Sequence, residues 1–167
     1  MMEASLTKLK FVADGMLGSS SRWLRMLGCN VKYCNDMPDD ALLKIAEQEE
    51  RVLLTRDSEL FRRASAGGLR AAFVEGGSEA ERLASIARRF SIRLEVDMAV
   101  TRCPVCDSPL RSVGREAVLD KVAAGTLRHY REFWVCEGCG KVYWRGGHWA
   151  KITEILNKAK ELMGKEG

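Results

Sequence analysis

Four cysteines in two matched pairs, and aspartates that follow apolar runs, are the residues of this 167-residue chain whose type and spacing could do chemistry. The pairs are Cys103-Pro104-Val105-Cys106 and, after 29 intervening residues, Cys136-Glu137-Gly138-Cys139. Two residues between thiols let one tight turn aim both sulfurs at a common ion while backbone amides bond the sulfurs. Two such knuckles make a tetrahedral four-thiolate site suited to structural zinc. Pro104 stiffens the first knuckle, and Gly138 and Gly140 are read as supplying the open backbone angles of the second. Disulfides and a redox pair are the alternatives. Disulfides need an oxidising compartment, and a redox motif would not come duplicated at this spacing. A ribbon of this kind folds around its ion, so the chemistry is expected elsewhere.

The aspartates supply that other chemistry. Asp14 follows Leu9-Lys10-Phe11-Val12-Ala13, Asp36 with Asp39 and Asp40 follows Asn30-Val31-Lys32-Tyr33-Cys34, and Asp57 follows Arg51-Val52-Leu53-Leu54-Thr55-Arg56. If each run is a strand of one parallel sheet, a single edge collects all of these carboxylates. Crowded like charges are costly, and a divalent cation relieves that cost. Magnesium or manganese takes carboxylates and water, bridges a phosphodiester and activates the attacking water. Aspartates without histidine favour such a hard ion over zinc. Helix capping is the competing reading, by Asp36 and Asp39 for a helix near Pro38 and by Asp57 for one at Ser58. It fits Asp14 less well, because Asp14 stands several residues before its helix and precedes the flexible Gly15. Arg22 and Arg25, three apart on one helix face, and Arg56 could hold phosphate near a helix N-terminus. An ordinary solvated face is the alternative for the two helical arginines.

The elements that must position these residues alternate. Strands are predicted over residues 9–13, 30–34, 51–55 and 69–74. The third is nearly all apolar, as a strand buried on both faces should be. Helices are predicted after Ser19-Ser20-Ser21, which offer caps, to the stop at Gly28, then over 38–50, 58–65 and 78–90. In the second, Ala41, Leu42, Ile45 and Ala46 share a stripe; in the last, Ser78 and Glu81 form a capping box. Short strand–helix repeats mean a parallel sheet covered on both faces, with ligands beyond the carboxyl ends of its strands. Residues 115–124 are read as a short helix between the knuckles, 132–135 and 141–144 as hairpin arms, and 148–163 as a final helix. Cys29 and Cys34 are read as small buried apolar residues.

Bulk properties bound the answer. The composition, 46% hydrophobic and 30% charged, is that of a globular domain with a small module. No apolar run reaches membrane-span length and no signal-peptide core begins the sequence, which points to the cytoplasm. Residues 1–98 balance 15 Lys/Arg against 15 Asp/Glu, whereas residues 99–167 hold 12 against 8, the whole net charge of +4. That bias is compatible with nucleic acid without requiring it.

Several motifs together resemble a known family. Asp40-Ala41-Leu42-Leu43-Lys44-Ile45-Ala46 and Leu53-Leu54-Thr55-Arg56-Asp57 look like the late part of a PIN-type nuclease. With Asp14-Gly15-Met16-Leu17-Gly18, Arg22-Trp23-Leu24-Arg25-Met26-Leu27-Gly28, Arg102-Cys103-Pro104-Val105-Cys106 and Tyr143-Trp144-Arg145-Gly146-Gly147-His148-Trp149, the chain resembles the mut-seven C-terminal ribonuclease domains over about residues 10–155. That resemblance implies a three-layer, PIN-like α/β domain at residues 8–98 with a mostly parallel sheet. A zinc ribbon at 99–147 and a terminal helix at 148–163 would follow. It implies metal-dependent RNA cleavage, with Asp14, Asp40 and Asp57 carried over as magnesium or manganese ligands. One departure is plain: only 25 residues separate Asp14 from Asp40, so the helical region that usually brings a further acidic residue is reduced. Asp36 or Asp39 is the substitute.

Trp144 to Trp149 mixes aromatics, a base and open backbone. Stacking of unpaired bases and docking of ribbon on helix are both open for the tryptophans, while Arg145 and His148 could reach a substrate. The expected activity is therefore a cytoplasmic, hydrolytic endoribonuclease acting on RNA without a membrane. A non-catalytic RNA- or protein-binding module with an eroded acidic site is the rival. An aspartyl-phosphate phosphatase fits poorly, because it needs a second aspartate at position 16, which is Met.

Overall fold

The apolar runs become a four-stranded, wholly parallel sheet in a computed structural model that describes residues 9–165. Its strands are β1 (Lys10–Ala13), β2 (Asn30–Tyr33), β3 (Val52–Thr55) and β4 (Ala71–Phe73), in the order β2-β1-β3-β4. The connecting helices are α1 (Gly18–Met26), α2 (Asp39–Gln48) and α3 (Ser58–Ala66), and α4 (Glu79–Phe90) follows β4. Alternation along the strands separates two cores. Phe11, Ala13, Val52 and Leu54 pack with Leu24 of α1 and Leu83 and Ile86 of α4. Val12 and Leu53 pack on the other face with Leu42 and Ala46 of α2 and Leu60 and Ala64 of α3. Both faces of β3 are filled, so all four of its residues are buried, as its composition predicted.

The chain then leaves the sheet. A three-stranded antiparallel sheet joins β5 (Leu110–Val113), β6 (Phe133–Cys136) and β7 (Val142–Tyr143) in that order. Two of these strands are the expected hairpin arms. The sequence reading missed β5, whose burial does not alternate cleanly. The helix expected over 115–124 is instead a 3-10 turn at Arg115–Val118 followed by α5 (Ala124–His129). The last helix, α6 (Trp149–Lys165), returns to the first unit, where Leu156 and Ala159 enter its core.

The ribbon is fastened at one end of the parallel sheet. α1 runs back from the carboxyl ends of the strands, so Met26 lies near their amino ends, where β2 begins. Thr101 Oγ1 donates to the Met26 carbonyl at 2.9 Å and the Arg102 amide to the Arg25 carbonyl at 2.9 Å. Gly28, at φ +93°, leaves space there that a Cβ would lose to Val100 at 3.1 Å. Arg25 completes the joint. Its guanidinium is buried (6% exposed) and donates to the Val31 carbonyl at 3.0 and 2.8 Å and to the Pro104 carbonyl at 2.9 Å.

Candidate functional site

Because β1 leads to β2 on one side and β3 lies on the other, the chain's direction across the sheet reverses between β1 and β3. Crevices at such a switch point, beyond the carboxyl ends, are where open α/β sheets bind ligands. Asp14 ends β1 at that point and is 5% exposed. Its Oδ1 accepts from the Met16 amide at 2.9 Å. Its Oδ2 accepts from the Thr55 hydroxyl and from the Arg56 amide at 3.2 Å. The carboxylate thus ties the ends of β1 and β3 together with three neutral donors and no cation. Of about four lone-pair sites on a carboxylate, one is left for an outside ligand.

Local packing explains the motif around it. Asp14 caps the 3-10 turn Gly15–Leu17, which runs straight into α1. The expected serine caps are therefore not used: Ser20 bonds Glu79 at 2.8 Å, and Ser21 donates back to the Leu17 carbonyl at 2.7 Å. A Cβ at Gly15 would meet the Asn35 carbonyl oxygen at 2.7 Å, and one at Gly18 the Tyr33 hydroxyl at 2.8 Å. Both glycines let the loop after β1 lie against the loop after β2, which carries Asp36.

The remaining acidic residues have separate situations. Asp57 does cap α3: its Oδ1 accepts from the amides of Glu59 at 2.9 Å and Leu60 at 3.2 Å. Asp36 and Asp39 are exposed, and neither caps α2, whose N-cap is Pro38 without a side-chain bond. Asp39 and Asp40 instead occupy the first turn of α2, where the helix dipole favours negative charge. Asp40 is 88% exposed in its side chain and pairs with Arg63 of α3 at 2.5 Å. The three carboxylates Asp14, Asp40 and Asp57 do not form a closed ligand set. Among the described residues, the four cysteines are the one group of three or more candidate ligands whose donor atoms all lie within 4.8 Å.

Two of the three arginines are occupied elsewhere. Arg25, expected to face phosphate, is instead buried and bonded to carbonyls at the ribbon joint, with Asp107 at 3.6 Å. Arg56 donates to the carbonyls of Val74 and Gly76 at 2.9 Å each, bracing the loop after β4. Arg22 is exposed on α1. Sequence reasoning missed Thr55, whose hydroxyl is aimed at Asp14. It also missed Glu79, held by Ser20 and, at 3.0 Å, by Arg82. The capping box at Ser78 drew attention to Glu81 instead. Ser78 does cap α4, and Glu81 Oε2 accepts from the Gly77 amide at 2.7 Å.

The cysteines converge as their spacing required. An ion bound at about 2.3 Å by four sulfurs sets them about 3.8 Å apart. Cys103 and Cys139 are 3.8 Å apart, and Cys106 and Cys136 3.3 Å. The Cys136 sulfur accepts from the amides of Gly138 and Cys139 at 3.3 Å each, and the Tyr143 hydroxyl lies 3.0 Å from the Cys103 sulfur. The Ser108 hydroxyl and amide hold the Cys106 thiol down to about 6, while burial pushes Cys136 up to about 11. Four soft donors in this arrangement fit a structural metal ion such as zinc. Gly140 does adopt a positive φ, +77°, but Gly138 does not. Gly138 is glycine because a Cβ there would meet the Ser108 hydroxyl at 2.2 Å. Cys29 is buried, and burial pushes its thiol up to about 12; Cys34, contrary to expectation, is exposed.

Arg145 and His148 share a lining that does not include Asp14. They line a cleft of about 490 Å³ against Met26 and Pro104, at the other end of α1. The Arg145 guanidinium sits 5.7 Å from the Trp134 ring centre and 5.2 Å from that of Trp149. Trp144 packs on Phe133 at 6.2 Å and stays 36% exposed. Trp144 and Trp149 both border the cleft.

A parallel α/β sheet with an acidic residue at its switch point carries, at its amino end, a four-cysteine ribbon able to hold a structural metal ion. The family is specific. The chain belongs to the Mut7-C RNAse domain family, whose model matches residues 9–156. No curated protein and no solved structure matches it significantly.

Proposed function

We propose that the chain is a metal-dependent endoribonuclease that hydrolyses RNA phosphodiesters at the β1/β3 edge. The observation that supports this reading is the buried Asp14 carboxylate at the switch point, in a chain of an RNAse family. Asp14 and Asp57 would hold magnesium or manganese, with Asp36, Asp39 and Asp40 on the exposed side. The donors are hard oxygens, and such an ion is commonly held by one or two carboxylates, its shell completed by water and substrate phosphate. When bound, the ion supplies charge stabilisation and an activated water. The protein's part is positional. Thr55 and the Arg56 amide fix the Asp14 carboxylate, α3 fixes Asp57 through its first turn, and the exposed Arg22 is free to meet phosphate. Zinc is the ion proposed for the cysteines. Four reduced thiols suit the cytoplasm, and no helix among the described residues is long and apolar enough to cross a membrane.

One observation favours a second reading. Asp40 is paired with Arg63 and no three carboxylates converge among the described residues, as expected of a non-catalytic RNA-binding module with an eroded site.

Single-stranded RNA incubated with Mn²⁺ separates the two. Cleavage by the wild-type chain that falls about 100-fold or more in Asp14→Asn supports the nuclease. Asp57→Asn keeps the helix cap, because asparagine caps as well as aspartate, so its loss of activity reports the site rather than folding. RNA that is bound and left whole supports the binding module.

A further inference from the structure

Arg145 lies over two aromatic rings and yet lacks an anion among the described residues. Two indole rings lie beside its guanidinium, and neither a carboxylate nor a hydrogen-bond acceptor engages it among the described residues. Stacking on ring faces leaves the planar edge, with its N–H donors, pointing away from the rings. Arg25, Arg51, Arg56, Arg63, Arg82 and Arg102 all have carbonyl or carboxylate partners. A preorganised and unsatisfied fork is what an anion site presents before its ligand arrives.

The cleft beside it narrows the ligand. Lys141, 5.7 Å above the Tyr143 ring, and His148 share its rim, and no aspartate or glutamate among the described residues lines it. Its walls are apolar and aromatic, with Trp144 still partly exposed. A ligand that matches must bring a flat apolar ring and a negative charge together. A nucleotide of a single strand does so: the base enters the aromatic cleft and the phosphate meets Arg145. A duplex does not, because its bases are already stacked and paired.

We propose that this cleft, bounded by Arg145 and Trp144, is a single-strand nucleotide-binding site separate from the acidic edge. α1, nine residues from Gly18 to Met26, spans the distance between the two, roughly 13 Å. A strand held at the cleft can therefore lead to the acidic edge along α1 only if it is several nucleotides long. That last step rests on the ribonuclease reading; the binding site itself does not.

The test measures binding without turnover, in full-length, zinc-loaded Asp14→Asn protein without added divalent cation. Fluorescence anisotropy follows a labelled oligouridylate of roughly a dozen nucleotides, within the usual range of single-strand sites. Arg145→Glu should weaken it about tenfold or more, and Trp144→Ala about tenfold. Lys141→Glu, at an exposed rim position, should weaken it in the same direction and guards against misfolding, as do zinc content and circular dichroism of each variant. The deoxy oligomer of the same sequence tells RNA from DNA, and binding of either supports the site. Unchanged affinity in Arg145→Glu and Lys141→Glu would overturn the proposal. So would equal competition by a duplex, or a cleft found covered by a co-purifying polypeptide. Wild-type cleavage without this binding would sink the site and leave the nuclease standing; binding without cleavage would do the reverse.

Discussion

The parallel-sheet unit and the ribbon solve the same problem with different means. The first buries two apolar layers, with Phe11, Leu24, Leu54 and Leu83 on one side of the sheet and Val12, Leu42, Leu53 and Leu60 on the other. Beyond its cysteines, the ribbon buries few large apolar side chains, chiefly Val118, Phe133 and Trp134. A module that small cannot offset its chain entropy by burial, and a metal ion held by the four cysteines would take over that task. The contrast teaches where each unit is tolerant. One depends on many interchangeable contacts, the other on four atoms.

Removing the metal breaks the comparison most strongly. Cys136→Ser should abolish zinc binding, removing on the order of 10 kcal/mol that stabilises the ribbon. Hydrogen exchange should then show β5 to β7 unprotected while β1 and β3 keep their protection. Loss of protection throughout would mean that the two units fold as one. Leu53→Ala, which opens a cavity beside Leu42 and Leu60, should do the opposite. It costs about 4 kcal/mol in denaturant unfolding of the sheet unit with zinc content unchanged.

Arg25→Ala sharpens the comparison at the joint. It strips donors from the carbonyls of Val31 and Pro104 and leaves Asp107 with Arg102, so we expect a loss of about 3 kcal/mol. The amide of Val31 and the turn at Cys103–Cys106 should lose protection together. If only one responds, the joint does not couple the units.

The smallest effect is a pH dependence confined to the sheet unit. Lys32 at 2.8 Å and Arg51 at 2.5 Å hold the Glu49 carboxyl down at about 2, against an ordinary 4.5. The folded value lies below the unfolded one. Its contribution is therefore fully present above about pH 4.5 and is lost as pH falls towards 2. The group is partly exposed and screened, so the contribution is about 0.5 kcal/mol. Comparing Glu49→Gln with wild type by thermal unfolding at pH 6 and at pH 3 isolates it from acid release of the ribbon's metal: the gap should shrink at the lower pH.

Periodicity and spacing determined a good deal by themselves. The apolar run at Val52–Leu54 required a strand buried on both faces, because only a doubly covered parallel sheet hides such a run. The Cys-x-x-Cys pairs required convergence on one ion, because two residues fix the reach of each turn. Asp14, Asp36 and Asp57 fell at strand ends for the same local reason, and those strand ends do share one edge.

What only the tertiary structure decided is which side chains were still available. Arg25 and Arg22 are indistinguishable on a helix drawn alone, yet one is sealed under a knuckle 79 residues away and the other faces solvent. Asp40 opens its helix as the sequence suggested, but α3 brings Arg63 to it, a partner 23 residues away that no local pattern shows. Arg145, read from sequence only as able to reach a substrate, lines a cleft at the opposite end of α1 from Asp14 once the ribbon docks. Sequence spacing fixes local geometry, within a turn or a strand. Whether a charge is neutralised, buried or left open depends on partners that are distant in the chain, and those are set only when the units pack.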